Sequence, residues 1–333
     1  MNKKLIFTLC TIFIILIICY YYYYWYYNNN SIDLVYTWVD GDDPVWKKKK
    51  NKYSGNRNTI DDATRYTSID ELKYSLRSVY KYANWVNKIY IVVDDDQKPK
   101  WLNINHPKIH LVKHSEIFPD KSHLPTFNSH SIECHLHRIP NLTEHFIYMN
   151  DDVFFGKYIS KSDFYKNNKL SYFKIRNIIW DENLINQMSD GQYNGYYRAW
   201  NKTNKLVTEN IGKINISQHH GGIILKKSNF EDVKKIFPRE FAETSSSRFR
   251  SHDDIVPNGL AYQYGLNRNN YRINTQINTI HISGNNSKQI NSDLNYILDN
   301  KPDFFCINNV NNYNKDIIEF LKNYYPEKSP YEN

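Results

Sequence analysis

Apolar residues recur along this chain in short runs that end on acids. Ile32 to Val39 (IDLVYTWV) is a run of β-favouring residues that passes directly into the acidic turn Asp40-Gly41-Asp42-Asp43-Pro44. Lys88 to Val93 (KIYIVV) repeats the arrangement and stops at Asp94-Asp95-Asp96. Phe146 to Met149 repeats it again before Asn150-Asp151-Asp152, and Val153 to Phe155 follows as a second short run closed by Gly156. Ile109 to Val112 predicts a further strand. Between the runs the period changes to three and four. Leu72, Leu76, Val79, Tyr80 and Ala83 share a helical face behind Ser68-Ile69-Asp70-Glu71, which has the form of a capping box. A turn and short helix are predicted at Pro99 to Leu102, and a longer helix from Ser129 to Arg138.

Alternating strands and helices predict an α/β fold on a mostly parallel sheet with flanking helices. Parallel strands end on one edge, and ligands of such sheets bind outside it. Asp40, Asp94 and Asp152, far apart in sequence, are therefore expected to meet there. A single acidic dipeptide is an ordinary solvated turn, but acids at several strand ends suit a divalent cation held by hard oxygen ligands.

The second half of the chain is less regular. Residues 157–217, rich in Asn, Tyr and Lys, read as an insertion with weak periodicity. His219-His220-Gly221-Gly222 follows, with a helix near Asn229 to Ile236. The stretch from Glu243 to Asp254 sets Arg248 and Arg250 beside serines ahead of a helix from Ile255 to Tyr264, the components of an anion clamp. Phe304 to Asn309 reads as a buried strand and Lys315 to Tyr325 as a closing helix. Glu133 and His137 would share a face of the predicted 129–138 helix, but the spacing with His130 and His135 is not that of a zinc helix.

Ahead of all this, Lys3 and Lys4 precede an uncharged stretch from Leu5 to Tyr27 that ends in Tyr and Trp. A bilayer span needs about 20 apolar residues, and aromatic rings favour the interface. The expectation is a single-pass anchor over residues 1–28 with a cytoplasmic N-terminus, leaving residues 29–333 luminal or extracytoplasmic. No small-residue cleavage site follows the apolar run, which argues against a cleaved signal peptide. The net charge of +8 is scattered apart from Lys47 to Lys50, with no nucleic-acid motif, so it points to anionic substrates rather than nucleic acid. Cys134 and Cys306 outside the span lack metal-site spacing and read as buried thiols. Sequons at Asn141, Asn201, Asn215 and Asn285 suit a luminal face but carry little weight in a chain rich in Asn.

Four blocks, in order, resemble the Stealth family of sugar-phosphate transferases. They are IDLVYTWVDGDDPVW; DELKYSLRSVYKYANWVNKIYIVVDDD with PTFNSHSIECHLHRIPNLTEHFIYMNDDVFFG; HHGGIILKKSNFEDVKKIFPREFAETSSSRFRSHDDI; and FFCINN with FLKNYYPEKSPYE. The resemblance implies a Rossmann-like catalytic domain over residues 29–333 that moves a sugar 1-phosphate from a nucleotide sugar to an acceptor glycan hydroxyl, with Mg²⁺ or Mn²⁺. It places the family's essential acids on Glu133 and Asp152, its arginine on Arg250 and its histidine on His220, with His219 the adjacent alternative. FFCINN departs from the commoner FFCLND, which removes an acid from the fourth block.

In chemical terms His220 is then the candidate base and Arg250 the diphosphate anchor; Asp151 and Asp152 are the metal ligands, and Glu133 either orients His220 or completes the metal shell. Trp38, Asp40, Asp94 and Arg248 would line the donor site. Two other activities fit the same acids. One is a glycosyltransferase in which Asp151-Asp152 plays the metal-binding part, and the other is a membrane-anchored glycan-binding protein.

Overall fold

A computed structural model describes residues 3–55, 66, 68–173, 192–212, 220–284, 286–308 and 314–333. His219, Asn309 and the sequons at Asn215 and Asn285 lie outside the described residues. Five strands form the central sheet in the order β3-β2-β1-β4-β8. They are β1 (Ile32–Thr37), β2 (Ile89–Val93), β3 (Ile109–Lys113), β4 (His145–Asn150) and β8 (Ile223–Lys226). The first four are mutually parallel, and β8 runs antiparallel to β4 with Tyr148 opposite Ile223. The mostly parallel α/β fold expected from the alternation is present. β1, β2 and the body of β4 are buried on both faces, in keeping with their largely apolar runs.

The opposite edge of the sheet is pinned by Asp33, a buried acid inside β1. Its carboxylate accepts from Asn87 Nδ2 at 2.7 Å and from the backbone N–H groups of Lys88 and Thr143 at 3.1 and 2.8 Å. One side chain thereby ties the entries to β2 and β4 onto β1.

Helix Glu71–Tyr82 lies against β5 (Val153–Phe155) and presents serines to it. Ser75 donates to the Val153 carbonyl at 2.5 Å, and Ser78 accepts from the Phe155 N–H at 3.0 Å. β5 itself joins a second sheet, β10-β11-β5, with β10 at Thr279–Ile282 and β11 at Phe304–Ile307. Phe154, Phe305, Ile297 and Leu321 form a separate core beneath it. The chain's end straps this assembly together, since Arg77 forks onto Glu332 at 2.9 and 2.8 Å and also donates to the Tyr325 carbonyl.

Several local expectations are corrected. The predicted 129–138 helix is broken into Ser129–Glu133 and a 3₁₀ turn at Leu136–Arg138, because His135 leaves the helical conformation at φ −121° and ψ 0°. Glu133 and His137 therefore share no face. Glu133 turns toward Tyr148, while His137 stacks on Phe230. The residues after Asp43 form helix Pro44–Ser54, started by proline and capped by the Asp43 carboxylate on the Val45 N–H at 2.9 Å. Pro99 to Leu102 is a turn without a helix. Glu243 to Ser246, the start of the serine- and arginine-bearing stretch, completes helix Pro238–Ser246. Within 157–217 the described residues include helix Gln192–Asn210, which the weak periodicity did not reveal. The hairpin of β6 (Tyr165–Lys166) and β7 (Lys169–Phe173) also lies there, and β7 pairs with β9 (Tyr271–Asn274).

Ahead of the sheet, helix Lys3–Asn30 contains a stretch, Ile6–Tyr23, long and apolar enough to cross a membrane and wholly unburied by the rest of the chain.

Candidate active site at the carboxyl edge of the sheet

Thr37 pairs with both Val92 and Asn150, so β1, β2 and β4 end level with one another. Trp38 and Asp40, Asp94, and Asp151 with Asp152 follow directly and share that edge. Their surroundings differ. The Asp40 carboxylate caps its own turn by accepting from the Asp42 N–H at 2.9 Å, and Gln97 brackets the Asp40 backbone at 3.1 and 2.7 Å. Gly41 is required beside it, because a Cβ there would sit 2.0 Å from the Tyr66 carbonyl oxygen. Asp94 is buried and bound at 2.5 Å by Lys49, which also reaches Asp96 at 2.8 Å. Trp38 is partly buried against the main core.

Asp151 and Asp152 meet a third acid. Glu71 is pushed up to about 7 by burial, against hydrogen bonds from the Ile69 N–H and Ser68, with the charge of Asp152 adding to the rise. Burial and the charges of Asp152 and Glu71 hold Asp151 well above the usual carboxylate range. Burial raises Asp152 as well, opposed by hydrogen bonds from Asn308 and Cys306 and by the nearby His281. Asp152 Oδ1 is buried with no hydrogen-bond partner among the described residues. Three crowded acids and an orphaned oxygen fit a hard divalent cation, whose charge would let them ionise together. The spacing of Ser68 and Glu71 predicts a capping role for Glu71. Instead the helix begins at Glu71 itself, with Asp70 as N-cap in the left-handed region.

His220 enters from the antiparallel neighbour of β4. It lies three residues before Ile223, the partner of Tyr148, and so reaches the same edge. Gly222 permits the approach, since a Cβ there would meet the Phe304 ring at 3.0 Å and Ile147 at 3.1 Å. The His220 ring stacks on His281 with centroids 3.8 Å apart and 22° between planes. His281 pairs with Cys306 across β10 and β11, and its Nε2 lies 2.9 Å from Asn308 Oδ1. Nothing in the linear spacing joins Cys306 and Asn308 of the FFCINN block to His281, because they meet only through the second sheet.

Arg250 and Glu133 form a neighbouring cluster. Glu133 is buried, and burial lifts it to about 7 despite the opposing Arg250 charge and the Tyr148 hydrogen bond. Tyr148 Oη lies 3.2 Å from Glu133 Oε1, 3.0 Å from Asn150 Oδ1 and 3.1 Å from Thr37 Oγ1, which links the cluster to the ends of β1 and β4. Arg250 donates to Ser129 at 2.8 Å and lies 5.9 Å over the Tyr196 ring, while its buried Nε has no partner among the described residues. Arg248 differs. Its guanidinium is taken up by the carbonyls of Pro125, Ser122 and His123 at 2.7, 2.8 and 3.4 Å, as a brace between two loops.

Comparison with known proteins identifies the family of the chain. Stealth conserved region 1 matches residues 30–58, conserved region 2 matches 65–173 and conserved region 3 matches 219–265. The chain belongs to the Stealth family. An exopolysaccharide phosphotransferase of Streptomyces coelicolor is 36% identical over 313 residues, covering 90% of this chain and 52% of that protein. Exopolysaccharide phosphotransferase CpsY of Mycobacterium leprae is 34% identical over 315 residues, covering 91% and 57%. The chain spans about half the length of the curated relatives it matches. Among solved structures, apo mouse xyloside xylosyltransferase 1 aligns over 83% of this chain and 97% of that one, with 9% identity and a TM-score of 0.38.

Proposed function

We propose that this chain transfers a sugar 1-phosphate from a UDP-sugar to a hydroxyl of an acceptor glycan and releases UMP. The observation that carries the reading is the meeting, on one sheet edge, of crowded acids at the end of β4 with a histidine at the head of β8. Phosphoryl transfer is mostly positioning and electrostatics, and this edge supplies both signs of charge and a base. Asp151 and Asp152, with Glu71 behind them, would hold Mg²⁺ or Mn²⁺, which neutralises charge on the diphosphate when bound. His220 accepts the proton of the attacking hydroxyl. Arg250, fixed by Ser129 and faced by Glu133, directs its remaining donors at phosphoryl oxygens. Glu133 thus acts on the arginine rather than on the histidine. Asp40, Asp94 and Trp38 flank the same edge on the donor side. Exopolysaccharide phosphotransferase relatives support this chemistry.

The helix Lys3–Asn30 anchors the chain in a membrane, in this reading, with the sheet on the extracytoplasmic side. ³¹P NMR of the acceptor after incubation with UDP-sugar and Mg²⁺ should show a new phosphodiester resonance. A modified acceptor carrying no phosphorus would refute the reading.

A further inference from the structure

Beside the three acids the site holds donors of a different chemical kind. Among the described residues, ligand atoms of His220, His281 and Cys306 all lie within 4.8 Å of one another. We propose that these three side chains, with Asp152 alongside, bind a thiophilic divalent cation, Zn²⁺ foremost, and that an ion held there takes His220 out of the transfer reaction. The first half stands on geometry alone; the second rests on the role given to His220 above.

Zinc takes nitrogen at about 2.0–2.1 Å and sulfur at about 2.3 Å in a tetrahedron, which sets its ligand atoms roughly 3.3–3.7 Å apart. Closure from the observed spacing asks for ligand-atom movements of about an ångström and for the stacked His220 and His281 rings to turn out of parallel so that both in-plane lone pairs meet one ion, a rotation open to two exposed rings. The backbone holds the group together. His281 and Cys306 are direct partners across parallel strands and so point to one face of the sheet. Gly222 brings the chain before β8 against Phe304 of β11, which delivers His220 to the same place. Asn308 steadies the His281 ring at 2.9 Å, as outer hydrogen-bond partners of metal-bound imidazoles do.

A fourth ligand is at hand in Asp152. Cys306 hydrogen-bonds its carboxylate, and its Oδ1 is buried without a partner among the described residues. Imidazole with thiolate selects zinc over magnesium, whereas the Asp151, Asp152 and Glu71 oxygens favour magnesium or manganese. Both ions would draw on Asp152. On binding, the Cys306 thiol proton is replaced by the cation and released to solvent. A histidine nitrogen whose lone pair is bound to zinc cannot accept the proton of an attacking hydroxyl.

The test uses the full chain in detergent, stripped of metal and titrated with Co²⁺. A near-ultraviolet thiolate-to-cobalt charge-transfer band should grow to a single equivalent, disappear in Cys306→Ser and be displaced by Zn²⁺. His281→Ala, at an exposed position, should weaken Zn²⁺ binding by about tenfold or more, and it keeps the test decisive if the buried Cys306→Ser variant does not fold. Absence of the band, or unchanged Zn²⁺ affinity in His281→Ala, would overturn the site. Zn²⁺ should also suppress transfer over the concentration range that displaces Co²⁺. Full turnover with the site filled would overturn the second half. Because the cobalt spectrum needs no substrate, failure of the proposed reaction and failure of the ion site are distinguishable.

Discussion

Tyr148 and Glu133 lie 3.2 Å apart, hydroxyl to carboxyl, and this contact joins the arginine cluster to the end of β4. A phenol carries one proton, so Tyr148 serves Glu133 or Asn150 at a given moment, and Thr37 can donate to it. Glu133 is lifted to about 7 by burial. Between its ordinary value near 4.5 and about 7, the folded chain keeps a proton that the unfolded chain has lost. Stability therefore falls as pH rises through that window and levels above it. Buried His114, His135 and His137, held at about 4, 3 and 3, contribute the opposite slope up to about pH 6.5, so the Glu133 share is read by difference: for metal-free protein we expect the stability at pH 7.5 relative to pH 5 to be higher in Glu133→Gln than in wild type by on the order of 1–3 kcal/mol. Glu71, also pushed to about 7, carries part of the remaining slope. An identical change between pH 5 and pH 7.5 in wild type and Glu133→Gln would contradict the burial account.

Arg248 and Arg250 are two residues apart and should fail differently. Arg248→Ala leaves three loop carbonyls without their donor, and should cost about 1–3 kcal/mol of stability with donor affinity in the folded fraction unchanged. Arg250→Lys keeps the charge but loses the fork, and should weaken UDP-sugar binding about tenfold or more at nearly unchanged stability. Thermal unfolding beside calorimetric titration checks both. Equal loss of donor binding in the two variants would restore Arg248 to the donor site.

The histidine should show a third pattern. His220→Ala should lower kcat by about a hundredfold or more with donor affinity nearly intact, since a base matters chiefly in the transition state. His219→Ala is the control for the adjacent position. If His219→Ala is inactive and His220→Ala active, the catalytic histidine is off by one residue.

The acids at the strand ends were legible because each lies where an apolar run stops, and parallel strands bring such stops to one edge. What stayed hidden depends on the third dimension. Tyr148 sits in the middle of an apolar run and reads as core, yet its hydroxyl is the link between two clusters. Glu71 follows Ser68 at the spacing of a capping box, and only the packing of Ser75 and Ser78 on β5 shows why that acid is carried toward Asp152. His281 and Cys306 lie on strands paired through non-local contacts, and linear spacing between them holds no metal pattern. The break after Glu133 likewise follows from tertiary contacts that separate it from His137. Arg248 and Arg250 look alike in sequence, and only their partners separate brace from anchor.

The nucleotide left behind tests the central claim most directly. Incubated with a panel of UDP-sugars, simple glycosides and Mg²⁺ or Mn²⁺, the full chain should release UMP in step with acceptor modification, and chelation should stop release until metal is restored. UMP means that the bond broken lies within the diphosphate, as the acid-lined edge and Arg250 require. UDP released in step with the acceptor would mean that the sugar alone moved, and would contradict the account.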